Sequence, residues 1–143
     1  MIVSRSRTVA ADPEAVWSVV ADPRRLARWW PRTERVKSVS REGWTTVLRS
    51  DRGRAVRADW RLDGEERPVR RAWTQELDGT PFAKLLRERR IEARLTPVEG
   101  GTRVTLELTQ RARGWSRFGG VLLRRAAGKE LDGALAGLQE VLS

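Results

Sequence analysis

Apolar and polar residues alternate along most of this chain and switch to helical spacing in only three places. The opening stretch, "MIVSRSRTVA", alternates and predicts a strand. Two similar segments follow, "AADPEAVW" and "VADPRRLARW". In each, an Asp suited to capping a helix precedes a Pro suited to its first turn. They predict short helices over about 13–20 and 23–30. Val16, Trp17, Val19 and Val20 give the first an apolar face. Leu26, Trp29 and Trp30 stand at i, i+3 and i+4 in the second, and Pro31 ends it. Alternating segments then predict strands over 33–41, 44–50, 54–62, 67–77, 86–96 and 102–112. Most are separated by turn signals: Glu42-Gly43, "SDRG", Asp63-Gly64, Asp78-Gly79 and "VEGG". "TPFAKL" is a longer connection. Loops this short join antiparallel neighbours. The last stretch, about 115–142, predicts one long helix with Leu131, Leu135, Leu138 and Leu142 along one stripe and Ala127 and Ala134 beside it. Five glycines in it (119, 120, 128, 133 and 137) each cost about 1 kcal/mol of helix propensity relative to Ala. They leave room either for close packing or for something else.

The order is therefore one strand, two short helices, six strands and a long helix. It predicts an α+β fold in a single domain, 1–143: a seven-stranded curved antiparallel sheet around the C-terminal helix. The short helices plug one end.

Strand parity assigns faces. The apolar sets, facing the helix, are Val56, Ala58, Trp60 and Leu62; Val69, Arg71, Trp73, Gln75 and Leu77; Ile91, Ala93 and Leu95; and Val104, Leu106, Leu108 and Gln110. Arg71 and Gln75 share the inner side with Trp73. They are placed to orient a polar group of a mainly apolar ligand, unless Arg71 snorkels to solvent from a strand end. Asp59, Glu76, Glu88, Glu92 and Glu107 fall on the outer face. Glu34, with the parity of Val36, is the one strand carboxylate expected to point inward.

Composition narrows the chemistry. The chain has 143 residues, seven Trp, and no Cys, His or Tyr. That removes Ser-His-Asp and Cys nucleophile chemistry and the usual ligands of zinc, copper and haem. With few inward acids, the interior is read as a binding surface: no catalytic residue, metal site or cofactor is expected. The net charge of +10 points to nucleic acid or an anionic surface. The arginines are spread through the chain and mixed with acids, as in "LRERRIEAR", so a solvated charged face is ranked first. There is no signal-peptide pattern and no apolar run of spanning length, so a cytoplasmic location is expected.

The early "VWSVVADPRRLARWWP" and late "PVEGGTRVTLEL" resemble the START-like superfamily, also called Bet v 1-like or SRPBCC, and within it the polyketide cyclase/dehydrase-like group. The matching positions are Trp17, Asp22-Pro23, Leu26, Trp30 and Pro31, with "GGTRVTL" before the last strand. The resemblance covers essentially the whole chain. It implies a helix-grip fold with a cavity between sheet and long helix. Members bind lipids, sterols, polyketides and quinones, and some are cyclases or aromatases. The expected function is binding of a hydrophobic small molecule of lipid, polyketide, polycyclic or isoprenoid type. One alternative is a polyketide cyclase/dehydratase-like enzyme that works mainly by templating. Another is an RNA- or ribosome-associated basic protein, so nucleic acid is a possible partner ranked below a small hydrophobic ligand. A monomer or homodimer is expected. Expected ligand-binding residues are Trp30, Trp60, Arg71, Trp73, Gln75, Phe82, Ile91, Leu106, Phe118 and Leu122. Trp17 is expected in the core, and Trp44 and Trp115 at the rim.

Overall fold

A computed structural model of the chain describes residues 1–114 and 119–143 in full and the backbone alone of 117–118. β1 (Ile2–Val9) leads into α1 (Pro13–Val20). Asp12 caps α1, its carboxylate accepting the Ala15 N–H at 2.8 Å. The second expected helix is shorter and tighter than its spacing predicts. A 3-10 turn, Pro23–Arg25, capped by Asp22, passes into a single helical turn, α2 (Leu26–Trp29). Trp30 is already extended.

The strands that follow are β2 (Thr33–Lys37), β3 (Gly43–Arg49), β4 (Ala55–Glu66), β5 (Arg70–Glu76), β6 (Leu86–Val98) and β7 (Gly101–Ala112). Each pairs antiparallel with the next, and β1 joins the free side of β7, giving the order β1-β7-β6-β5-β4-β3-β2. A 3-10 turn, Pro81–Lys84, occupies the longer connection. α3 (Arg117–Leu142) packs along β1, β7 and α2. The α+β class, seven-stranded antiparallel sheet and long closing helix agree with the sequence pattern.

Three local expectations are corrected. β2 stops at Lys37 rather than 41, because Ser38 turns the chain with φ 55°. Asp63-Gly64 is not a hairpin turn. β4 runs through it, with Gly64 at φ 127°, and the pairing shifts between Leu62–Trp73 and Glu65–Arg71. This bulge places one extra residue on β4 and reverses its parity. The hairpin closes further on, where the Val69 N–H bonds the Glu66 carbonyl at 2.7 Å. Val69, expected on the inner face, is consequently exposed in that turn.

The core is contiguous. Val3, Ile91, Val104, Leu106 and Leu108 from the sheet meet Leu131, Leu135 and Leu138 from α3, while Val16, Trp17, Val19 and Val20 close one end. Two of the helix glycines are explained by close approach. A Cβ at Gly133 would stand 3.0 Å from Pro31 Cγ, and one at Gly137 would collide with the Trp29 carbonyl oxygen. Gly133 and Gly137, one helical turn apart, thus seat the end of α2 on α3.

Candidate functional site

Sheet register brings a row of large and polar side chains together inside the grip. Trp44 lies opposite Trp60, and Trp60 opposite Gln75. On the other side, Arg89 lies opposite Gln110, one step beyond the Thr74–Arg90 pair that joins β5 to β6. The next row toward the C-terminal end of α3 is almost wholly apolar: Leu62, Trp73, Ile91, Leu108 and Val3.

Glu130, on the inner side of α3, ties this polar row to the helix. Its Oε2 accepts from Trp30 Nε1 at 2.9 Å and from Arg89 Nη2 at 2.7 Å; its Oε1 accepts from the same Nη2 at 2.8 Å. Arg89 Nη1 donates to Gln110 Oε1 at 2.9 Å. The guanidinium lies 6.0 Å from the centre of the Trp60 ring, whose N–H donates to Thr46 Oγ1 at 3.1 Å. Trp30, Trp73 and Trp44 follow one another in tilted, edge-on contact, with centroids 6.2 and 6.3 Å apart. Ion pairing here satisfies a carboxylate and a guanidinium that are both largely withdrawn from water. Gln75 Nε2 is buried without a hydrogen-bond partner among the described residues.

Beyond Gln110 the grip opens. A cleft of about 560 Å³ lies between Met1, Gln110 and Ala112 on one side and Gly120, Val121 and Leu123 on the other, with Arg111 and Arg124 also lining it. No acidic side chain among the described residues lines it. Gly120 has open space where a Cβ would sit. Gln110 belongs to both cleft and polar row, so the Arg89–Glu130 pair lies directly behind the cleft wall.

A second, more open cleft of about 520 Å³ lies where α1 runs into α2, beside the β2–β3 loop and the β4 bulge. Arg71 reaches it. The bulge turns Glu65 toward Arg71, whose Nη1 donates to Glu65 Oε2 at 2.6 Å, and the guanidinium sits over the Trp44 ring at 5.5 Å. Burial pulls the Arg71 pKa down and the Glu65 carboxylate opposes that pull.

The expected ligand-binding residues therefore divide. Trp30, Trp60 and Gln75 belong to the row behind the cleft. Trp73, Ile91 and Leu106 are packing residues; Ile91 and Leu106 expose 1% and 0% of their surface, so no water-sized space adjoins them appreciably. Arg71 serves the second cleft, away from Gln75. Phe82 is half-buried on its 3-10 turn, against the core. Leu122 is 64% exposed and does not line the cleft. The Phe118 side chain and Trp115 lie outside the described residues. Trp44, expected at the rim, is buried.

The expectation about inward acids is also corrected. Glu34 points outward and pairs with Arg49, because the β2–β3 pairing shifts between Thr33 and Arg35. The inward carboxylates are Glu65, turned by the bulge, and Glu130. Glu130 was legible: it is three residues after Ala127 and four before Ala134, on the apolar stripe. Arg89 shares the parity of Ile91, and Gln110 that of Leu108. The outer face of the sheet carries the remaining strand acids. Glu92 is the most buried; burial pushes its carboxyl up, but hydrogen bonds from Arg70 and Arg94 outweigh this and hold it below its usual value.

Among the described residues no three acidic side chains group as a metal ion needs, and no helix is long and apolar enough to cross a membrane.

Known structures repeat this architecture. The chain is similar to a START superfamily protein from Mycobacterium smegmatis, at 15% identity over 99% of this chain and 96% of that one, with a TM-score of 0.81. It is similar to the protein TTHA0849 from Thermus thermophilus, at 23% identity over 98% and 95% and a TM-score of 0.76. It is also similar to the di-domain ARO/CYC BexL from the BE-7585A biosynthetic pathway, at 24% identity over 98% of this chain and 45% of that one, with a TM-score of 0.80. No curated protein matches in sequence. At these identities the structural likenesses establish the fold. The profile of the family described as "Polyketide cyclase / dehydrase and lipid transport" matches residues 1–143. With the whole chain matched, the protein belongs to that family, and its helix-grip fold is the one those START-like structures share.

Proposed function

We propose that the protein binds a hydrophobic small molecule of lipid, polyketide or polycyclic type in the cleft beneath the N-terminal half of α3. The observation that carries this reading is the cleft itself. Its volume of about 560 Å³ falls within the usual range for small-molecule sites, about 300–1,000 Å³. Val121, Leu123, Ala112 and Met1 supply apolar wall, and Gln110 supplies a polar group at its inner side. Arg124 favours a ligand with an acidic or carbonyl-bearing end.

Gly120 provides the test. Gly120→Phe fills open space on the cleft wall without meeting neighbouring atoms at its Cβ. The wild-type protein should take up an environment-sensitive apolar dye, and a discrete adduct should appear in native mass spectrometry after purification. Gly120→Phe should lose both while keeping its thermal transition. Equal dye uptake by the two proteins would move the binding site elsewhere.

A second reading, a cyclase-type enzyme, is favoured by Glu130, a carboxylate held within the grip behind Gln110. BexL, described as an ARO/CYC protein, is consistent with it. Glu130→Gln separates the two readings: a binding protein keeps dye uptake and has no turnover to lose. An enzyme using this carboxylate keeps uptake and loses conversion of a poly-β-ketone thioester.

A further inference from the structure

We propose that the second cleft, where α1 runs into α2, is a separate site for a small organic carboxylate. It shares no lining residue with the α3 cleft. Its volume of about 520 Å³ also lies within the usual range for small-molecule sites, about 300–1,000 Å³. Part of its wall is apolar: Ala21, Pro23, Val39 and Leu62. The rest carries charge, and one charged group is built into the fold rather than left on the surface.

That group is Arg71. Its side chain is only 8% exposed. A guanidinium carries five N–H donors, yet the hydrogen bond Arg71 makes among the described residues runs from Nη1 alone, to Glu65 Oε2 at 2.6 Å. Nε and Nη2 are not sealed in the core. The buried nitrogens that lack a partner are those of Trp29, Trp44 and Gln75. The spare donors of Arg71 therefore open onto the cleft that it lines. The Trp44 ring lies beneath the guanidinium at 5.5 Å. Ring and Glu65 together fix its plane, so little side-chain freedom is left to lose when an anion binds. A guanidinium partly withdrawn from water also attracts an anion more strongly than one on the surface.

Charge selects the ligand. Arg24, Arg41 and Arg71 line the cleft against Asp22 and Glu65, which leaves one positive charge over. Asp22 is engaged with its own segment: it accepts the Arg24 N–H at 3.1 Å and pairs with Arg25 at 3.6 Å. Arg41 has no ion-pair partner among the described residues. One negative charge balances this set, whereas the second charge of a phosphate monoester would face Asp22 and Glu65. The planar fork of Arg71 also matches a carboxylate in shape. Val39 and Leu62, both half-buried, offer contact to the rest of the molecule. The ligand class is thus a monocarboxylic acid with a compact apolar body. Glu65 has two opposed effects on it. It orients Arg71, and it occupies a donor for which the ligand competes.

The test is a proton–nitrogen NMR titration of the full chain with benzoate and with hexanoate, at constant ionic strength, using inorganic phosphate as the comparison anion. Either carboxylate is expected to shift the Arg71 Nε–H and Trp44 Nε1–H signals saturably, and phosphate to shift them far less. Arg71→Gln should weaken carboxylate binding roughly tenfold or more. Glu65→Gln keeps an acceptor for Arg71 but removes the competing charge, so it should strengthen binding about two- to fivefold. Arg41→Gln, an exposed change, should weaken it by a similar factor. Should Arg71→Gln fail to fold, the opposite shifts of Glu65→Gln and Arg41→Gln still decide the matter. Arg35→Gln, on the exposed side of β2, should change nothing. Absence of saturable shifts would overturn the proposal. So would equal weakening by Arg35→Gln, which would mean diffuse charge, or binding of phosphate as tight as that of the carboxylates. Gly120→Phe separates the two clefts: it should abolish dye uptake and leave the carboxylate titration unchanged. Loss of carboxylate binding in Gly120→Phe would place the carboxylate in the α3 cleft and overturn the separate site. Failure of dye uptake in the wild type, with the carboxylate titration intact, would count against the α3 reading and leave this site standing.

Discussion

The two halves of α3 meet the same sheet in opposite ways. From Ala127 onward the inward apolar positions are Ala127, Leu131, Ala134, Leu135 and Leu138, all buried. There the helix presses on the sheet and on α2 closely enough that Gly133 and Gly137 are needed beneath Pro31 and Trp29. Before Ala127, the described α3 residues from Gly119 are at most half-buried, and Gly120 faces open space. The boundary is the Glu130–Arg89–Gln110 row. One half stabilises the fold and the other leaves it incomplete. In this chain, the candidate site lies where packing has been withheld.

The largest effect that would test this contrast is a deletion in the packed half. Leu135→Ala should cost about 2–5 kcal/mol in denaturant unfolding, for lost burial and the cavity left behind. Leu122→Ala in the open half should change stability by no more than about 0.5 kcal/mol. Similar costs at the two sites would break the comparison. At the boundary, Glu130→Gln leaves Arg89 partly buried without its counter-charge and should cost about 1–3 kcal/mol. Trp30 loses its charged acceptor as well, so a shift in tryptophan emission should accompany the loss.

Glycine gives a contrast of sign. Gly137→Ala would place a methyl against the Trp29 carbonyl; the clash should exceed the helix-propensity gain and destabilise by about 1–2 kcal/mol. The smallest effect is the reverse one. Gly120→Ala meets nothing and should stabilise by about 0.5–1 kcal/mol through propensity alone. Thermal melts of these two variants side by side would sharpen the contrast most economically, since identical chemistry should give opposite shifts.

Much of the fold was legible because strands and helices write their periods into the sequence. Alternation located all seven strands, and the Asp-Pro pairs located α1 and the turn before α2. Parity identified the inner faces of β4 to β7 up to the first irregularity. It failed at Gly64, where a residue that reads as a turn is instead a bulge. That one inserted residue sends Glu65 to Arg71 and reverses every later side chain on the strand. It failed again at Glu34 for the same reason. The site was less legible. Face alone picks out Trp30, Trp60 and Gln75, but Ile91 and Leu106 share that face and are sealed. Arg89 and Glu130 read first as surface charges, although their spacing places them inward.

The sequence by itself determined the elements, their order, the apolar stripe of α3 and the absence of imidazole and thiol chemistry. These depend on local period and on composition, which a linear chain states directly. The tertiary structure alone decided where along α3 the grip is solid and where it is open. It also decided which buried charges become partners, Arg89 with Glu130 and Arg71 with Glu65. Those outcomes depend on bulges and on helix-to-sheet separation. A single residue's displacement moves them, and no periodicity records it.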